Sequence, residues 1–108
     1  MLLQRPEFTQ VHPHCAESRD GYTVEIVAVD LCVRFRREAQ IASIAFEWIV
    51  DPDGLLLYLD SRMNAGFAEL ERSQAYDVLK KIAAALRFLG FRVVTEGEMP
   101  QDKREKNA

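Results

Sequence analysis

The sequence predicts an α+β fold: a small antiparallel β-sheet of four to six strands, built as hairpins, packed on one C-terminal α-helix that a short strand follows. Three observations carry this. Apolar residues alternate along 22–28 and 41–50, the period of a strand buried on one face. Asp51-Pro52-Asp53-Gly54 then separates two apolar runs, as a hairpin turn would. Apolar residues next recur at helical spacing from Tyr76 to Leu89 and stop at Gly90, where a terminating glycine belongs.

Taken in order, residues 1–6 read as a loose lead-in, and Phe8 to His12 as a short edge strand confined by Pro6 and Pro13. Ser18-Arg19-Asp20-Gly21 is a turn signal. Tyr22, Val24, Ile26 and Ala28 share one face. The apolar phase then moves to Val29, Leu31, Val33 and Phe35, so two strands meet at a tight turn near Ala28–Asp30. Ile41 to Val50 is the longest strand, with Ala42, Ile44, Phe46, Trp48 and Val50 on its heavy face. Gly54 is expected to close the next turn in the left-handed region, before the partner strand Leu55 to Leu59. The linker from Ser61 to Leu70 is irregular, with Asn64 and Gly66 as breakers. Ser73 is the expected N-cap, and Tyr76, Leu79, Ile82, Ala83, Leu86 and Leu89 the buried stripe. Phe91 to Thr95 is the final strand. One domain covers 1–95, and the polar run 96–108 reads as a disordered tail.

The 108 residues suffice for one core. A net charge of -3 argues against nucleic acid. No apolar run approaches the roughly 18–20 residues that span a bilayer, and the N-terminus does not read as a signal peptide. Two cysteines, Cys15 and Cys32, are too few for a disulfide-built domain. The expectation is a soluble cytoplasmic protein with reduced thiols.

Reactive side chains are sparse. His12-Pro13-His14-Cys15 groups soft ligands but falls short of the four that structural zinc takes, so no metal is expected. Cys32 sits between Leu31 and Val33 like an ordinary packed thiol. Asp51 and Asp53 are explained by their turn. Glu47 faces away from the core, as a solvated residue or a cross-strand partner of Arg34 or Arg36. Arg34, Arg36 and Arg37 form the basic concentration, without a glycine-rich phosphate loop. No catalytic residue and no cofactor is assigned.

The order of Phe46 to Val94 carries a resemblance. Glu47 lies inside a strand; a turn follows, then a leucine-rich strand ending Tyr58-Leu59-Asp60-Ser61, an irregular linker, a helix ending Leu86-Arg87-Phe88-Leu89-Gly90, and Phe91-Arg92-Val93-Val94. This resembles a family of small α+β immunity proteins of bacterial polymorphic toxin systems. In the linker this chain has Met63-Asn64-Ala65-Gly66-Phe67, where the family pattern has a tryptophan and prolines. The resemblance implies binding and neutralising a toxin, without catalysis.

The expected function is therefore protein–protein interaction, with Arg34, Arg36, Glu47, Tyr58 and Phe67 as contacts, since aromatics and arginine dominate interface energetics. One helix covers one face of a sheet. The excess of Ile49, Leu56 and Tyr58, with Val27 beside them, points to a homodimer or heteromer on the other face, or to edge-strand pairing. The rival class is a small enzyme or ligand-binding domain, its pocket between sheet and helix using His14, Cys15 or Glu47.

Overall fold

The alternating segments fold as neighbours in one sheet. The computed structural model describes residues 7–50 and 53–101. Its strands are β1 (Phe8–His12), β2 (Cys15–Ser18), β3 (Thr23–Val27), β4 (Cys32–Arg37), β5 (Gln40–Ile49), β6 (Gly54–Tyr58) and β7 (Arg92–Glu96). The helix α1 (Arg72–Phe88) lies between β6 and β7. Among the described residues the sheet has seven strands in chain order. β1 to β6 form an antiparallel meander, and β7 returns parallel to β6. A parallel neighbour needs a long crossover, which α1 supplies.

The fold is α+β as expected, but with seven strands rather than four to six. The four residues of β2 were not foreseen. They follow a two-residue turn at Pro13-His14, and Cys-Ala-Glu-Ser contains no β-branched residue to mark a strand.

The turns follow local chemistry. Ser18 Oγ accepts the Asp20 N–H at 3.0 Å, and Gly21 takes φ +92°. Between β3 and β4 the chain makes a short 3₁₀ helix, Ala28–Asp30, with Leu31 at φ +50°. This turn absorbs the one-residue slip in phase. It also turns Val29 and Leu31 outward, 90% and 51% exposed, against the face their parity assigned. Gly54 corrects a second expectation, because its φ is not positive. A Cβ there would come 2.8 Å from the Arg92 carbonyl oxygen, so glycine lets β7 close onto β6. Asp51 and Pro52 lie outside the described residues.

Val24, Ile26, Val33, Phe35, Ile44, Phe46, Leu55 and Leu57 face α1 and are buried with its Ala75, Val78, Ile82, Ala85 and Leu86. The helix touches β2, β3, β4 and β7, so the sheet curls around it. Trp48 was expected among Leu57, Leu79, Ile82 and Leu86. Instead it sits at the sheet end, 39% exposed, with its ring edge-on to Phe46 at 4.9 Å. Leu79 is only partly buried.

The helix begins earlier than Ser73 suggests. Glu71 is the N-cap in a reciprocal box with Gln74, whose Oε1 accepts the Glu71 N–H at 3.2 Å. Tyr76 leaves the buried stripe and lies exposed with the Arg72 guanidinium over its ring. At the C-terminus the Gly90 N–H donates to the Arg87 carbonyl and the Phe91 N–H to that of Leu86, both at 3.0 Å, with Gly90 at φ +97°. That is a Schellman ending.

The linker is fitted to the sheet. The Ser43 N–H donates to Ala65 O at 2.8 Å, and Gly66 bridges Ser43. This covers the half of β5 that β6 does not reach. The loose tail was expected from 96, yet Glu96 ends β7 and Met99 is buried against the core; residues 102–108 lie outside those described. No helix among the described residues is long and apolar enough to cross a membrane.

Candidate functional site

With α1 on one face, the other face of the sheet is left uncovered among the described residues. Parity places there the side chains at Thr23, Glu25, Cys32, Arg34, Ala45, Glu47, Leu56, Tyr58 and Val94, through the cross-strand register. The face has two chemically distinct halves.

The β3–β4 half is charged. Glu25 lies opposite Arg34 and Thr23 opposite Arg36, and these four line a shallow hollow of about 100 Å³. Arg34 Nη2 lies 3.9 Å from Asp30, and His12 Nε2 lies 3.3 Å from Glu25.

The β5–β7 half is apolar around one polar pair. Leu56 lies opposite Glu47 on one side and Val94 on the other; Tyr58 lies between Ala45 and Glu96. Leu56, Tyr58, Ile49 and Val94 are half-exposed. Tyr58 lies one diagonal step from Glu47 across the β5–β6 register. Hydrogen bonding to that carboxylate leads the causes that hold the Tyr58 pKa above its ordinary value, and partial burial and the charges of Glu47 and Glu96 push the same way. A phenol kept protonated is a hydrogen-bond donor and a poor nucleophile.

The structure thus brings Arg34, Arg36, Glu47 and Tyr58 to one face. Phe67 is the exception. It is fully buried in the core, so it is no surface contact, because the linker tucks inward where an exposed loop was expected. Glu47 is also partnered differently than expected. Arg34 and Arg36 sit opposite Ser43 and Ile41, nearer the start of β5, so Glu47 meets β6 and Tyr58 instead.

His14, Cys15 and Glu47 are not assembled into a pocket. The His14 ring stacks against Trp48 at 5.6 Å and Phe91 at 6.0 Å, whereas Glu47 turns to the opposite face of β5. Cys15 is buried and unbridged. Burial, then the charges of Glu25 and Glu17, push its thiol pKa up, away from the thiolate that a nucleophile needs. Among the described residues no three His, Cys, Asp or Glu side chains group to hold a metal. A cleft of about 340 Å³ does open between the linker and the segment after β7, lined by Leu59, Asp60, Leu70, Glu98 and Met99. Its lining includes none of His14, Cys15, Arg34, Arg36, Glu47, Tyr58 or Phe67.

Comparison of the chain with family models, curated proteins and solved structures returned no match. The site therefore rests on its own geometry. Sequence reasoning missed that Ala45 and Val94 flank Tyr58 and Leu56 in the apolar half, and that Cys32 borders Ala45 from β4. Their parity was readable, but the neighbouring strand of each was not.

Proposed function

We propose that the chain is a non-catalytic protein-binding domain that holds its partner on the open face of the sheet. One observation carries this. Among the described residues a seven-stranded sheet has a helix on one face only, and its other face sets half-exposed Leu56, Tyr58, Ile49 and Val94 beside Arg34 and Arg36. An apolar centre with an arginine-bearing margin is the anatomy of a protein interface.

The narrower reading is a bacterial immunity protein that neutralises a toxin by covering it. The resemblance of residues 46–94 supports this reading, and such binding needs no chemistry from the chain. Free Cys15 and Cys32 fit a reducing compartment such as the cytoplasm.

The test is co-expression with the product of the adjacent gene, followed by calorimetric titration of the purified pair. Leu56→Glu and Arg36→Glu should each weaken binding by about tenfold or more, with unchanged circular dichroism. Lys80→Glu, on the exposed side of α1, should not. Wild-type affinity in both open-face variants overturns the reading.

A further inference from the structure

The two edges of the sheet are built differently. β1 carries a bulge between Gln10 and His12 and is followed by Pro13. Bulges and prolines are how proteins blunt an edge against further pairing. β7 has neither. It is a regular five-residue strand, Arg-Val-Val-Thr-Glu, with no shift in its register against β6. Among the described residues β7 pairs with β6 alone. The helix does not overhang it: a groove of about 470 Å³ lies open between α1 and the strand, floored by Ala83, Ala84 and Val93.

We propose that the protein forms a twofold dimer by antiparallel pairing of β7 with β7 of a second copy, in the register centred on Val94. Two independent features select that register. The first is the backbone. The Arg92 N–H donates to Asp53 O at 3.1 Å, and Glu96 O accepts the Leu59 N–H at 2.8 Å. Arg92, Val94 and Glu96 therefore turn their backbone groups toward β6, and alternation turns those of Val93 and Thr95 outward. Centring on Val94 sets Val93 against Thr95 of the partner subunit. These are the residues whose backbone groups have no strand partner among the described residues, so each pair exchanges two hydrogen bonds.

The second feature is charge. The same register sets Arg92 opposite Glu96 of the partner subunit, and the twofold repeats this ion pair on the other side of Val94. Both residues are exposed and lie on the open face with Val94. The strand is thus complementary to its own reverse. Pairing also joins the two open faces into one, with the Leu56–Val94 strips adjacent across the axis.

The test is the association constant by sedimentation equilibrium, with circular dichroism to confirm folding. Wild type should dimerise. Arg92→Glu or Glu96→Arg alone makes both cross-axis pairs like-charged and should weaken the dimer about tenfold. The double exchange restores opposite charges and should recover it. Thr95→Pro deletes one outward N–H while sparing the bonds to β6, and should abolish pairing; if that variant does not fold, the charge exchange decides alone. A wild type that stays monomeric overturns the proposal. So does a dimer indifferent to the charge changes, or one lost in Leu56→Glu but not in Arg92→Glu, which would place the contact on the face and leave the partner-binding reading standing.

Discussion

Asn64 Oδ1 accepts the backbone N–H of Ala45 at 2.8 Å, and Asn64 Nδ2 donates to the Tyr58 carbonyl at 2.7 Å. Ala45 and Tyr58 form the last rung of the β5–β6 ladder. One buried amide therefore finishes the pairing where the two strands part. Asn64→Ala removes both bonds and orphans a donor and an acceptor. Each orphan costs roughly 1–3 kcal/mol when buried, and these two are partly buried. The expected loss is about 2–4 kcal/mol, read as a lower urea midpoint at constant slope. An unshifted midpoint would mean that water replaces the amide without cost.

Gly66 and Gly90 both take positive φ, +81° and +97°, but for different reasons. A Cβ on Gly90 would meet nothing within 4 Å. Gly90→Ala should cost only the left-handed penalty, about 1–2 kcal/mol. A Cβ on Gly66 would overlap the Ile41 carbonyl oxygen, which is fixed in β5. Gly66→Ala should therefore lose at least about 2 kcal/mol more than Gly90→Ala, by paired thermal melts. Equal losses would show that the linker lifts off β5 freely.

The legible parts of this chain were those with a local cause. Alternation at Val24, Ile26, Ile44 and Phe46, the Gly21 and Gly90 signals, and the slip near Ala28–Asp30 each follow from residues within a turn or two. What was not legible depended on distant chain. Phe67 looks like a loop aromatic until the linker is seen to dock on β5. Trp48 has core parity but lies where the sheet runs out. Tyr76 has helical spacing but sits one step off the face that α1 buries. The Glu47–Tyr58 pair needed the β5–β6 register, which no periodicity supplies.

The helix face offers a direct comparison. Leu86 is fully buried, and Tyr76, which shares the helical spacing, is 46% exposed. Leu86→Ala should destabilise by about 2–5 kcal/mol, through lost transfer energy and a residual cavity. Tyr76→Ala should stay within about 1 kcal/mol. Reversal of that order in chemical denaturation would rotate α1 about its axis and refute the packing.

The pairing of Tyr58 with Glu47 has a titration signature. A tyrosine in an unfolded chain loses its proton near about pH 10, and in the fold Tyr58 holds it longer. A raised folded-state pKa makes the contribution of Tyr58 to stability complete below that pH, and it is lost as pH rises through the folded value. Glu47→Gln removes the anionic acceptor and its charge together, so the Tyr58 pKa should fall back toward the ordinary value. Tyr22 provides the control. Its pKa is raised chiefly by burial, with the nearby charges of Glu7 and Asp20 and no contribution from Glu47. In Glu47→Gln, ring-carbon NMR titration should show Tyr58 moving down and Tyr22 staying in place. If Tyr58 does not move, the hydrogen bond is not what holds its proton. If it does, the open face presents at neutral pH a fixed phenol–carboxylate pair whose bond strengthens as a partner excludes water from it. Tyr58→Phe should then weaken partner binding more than it weakens folding.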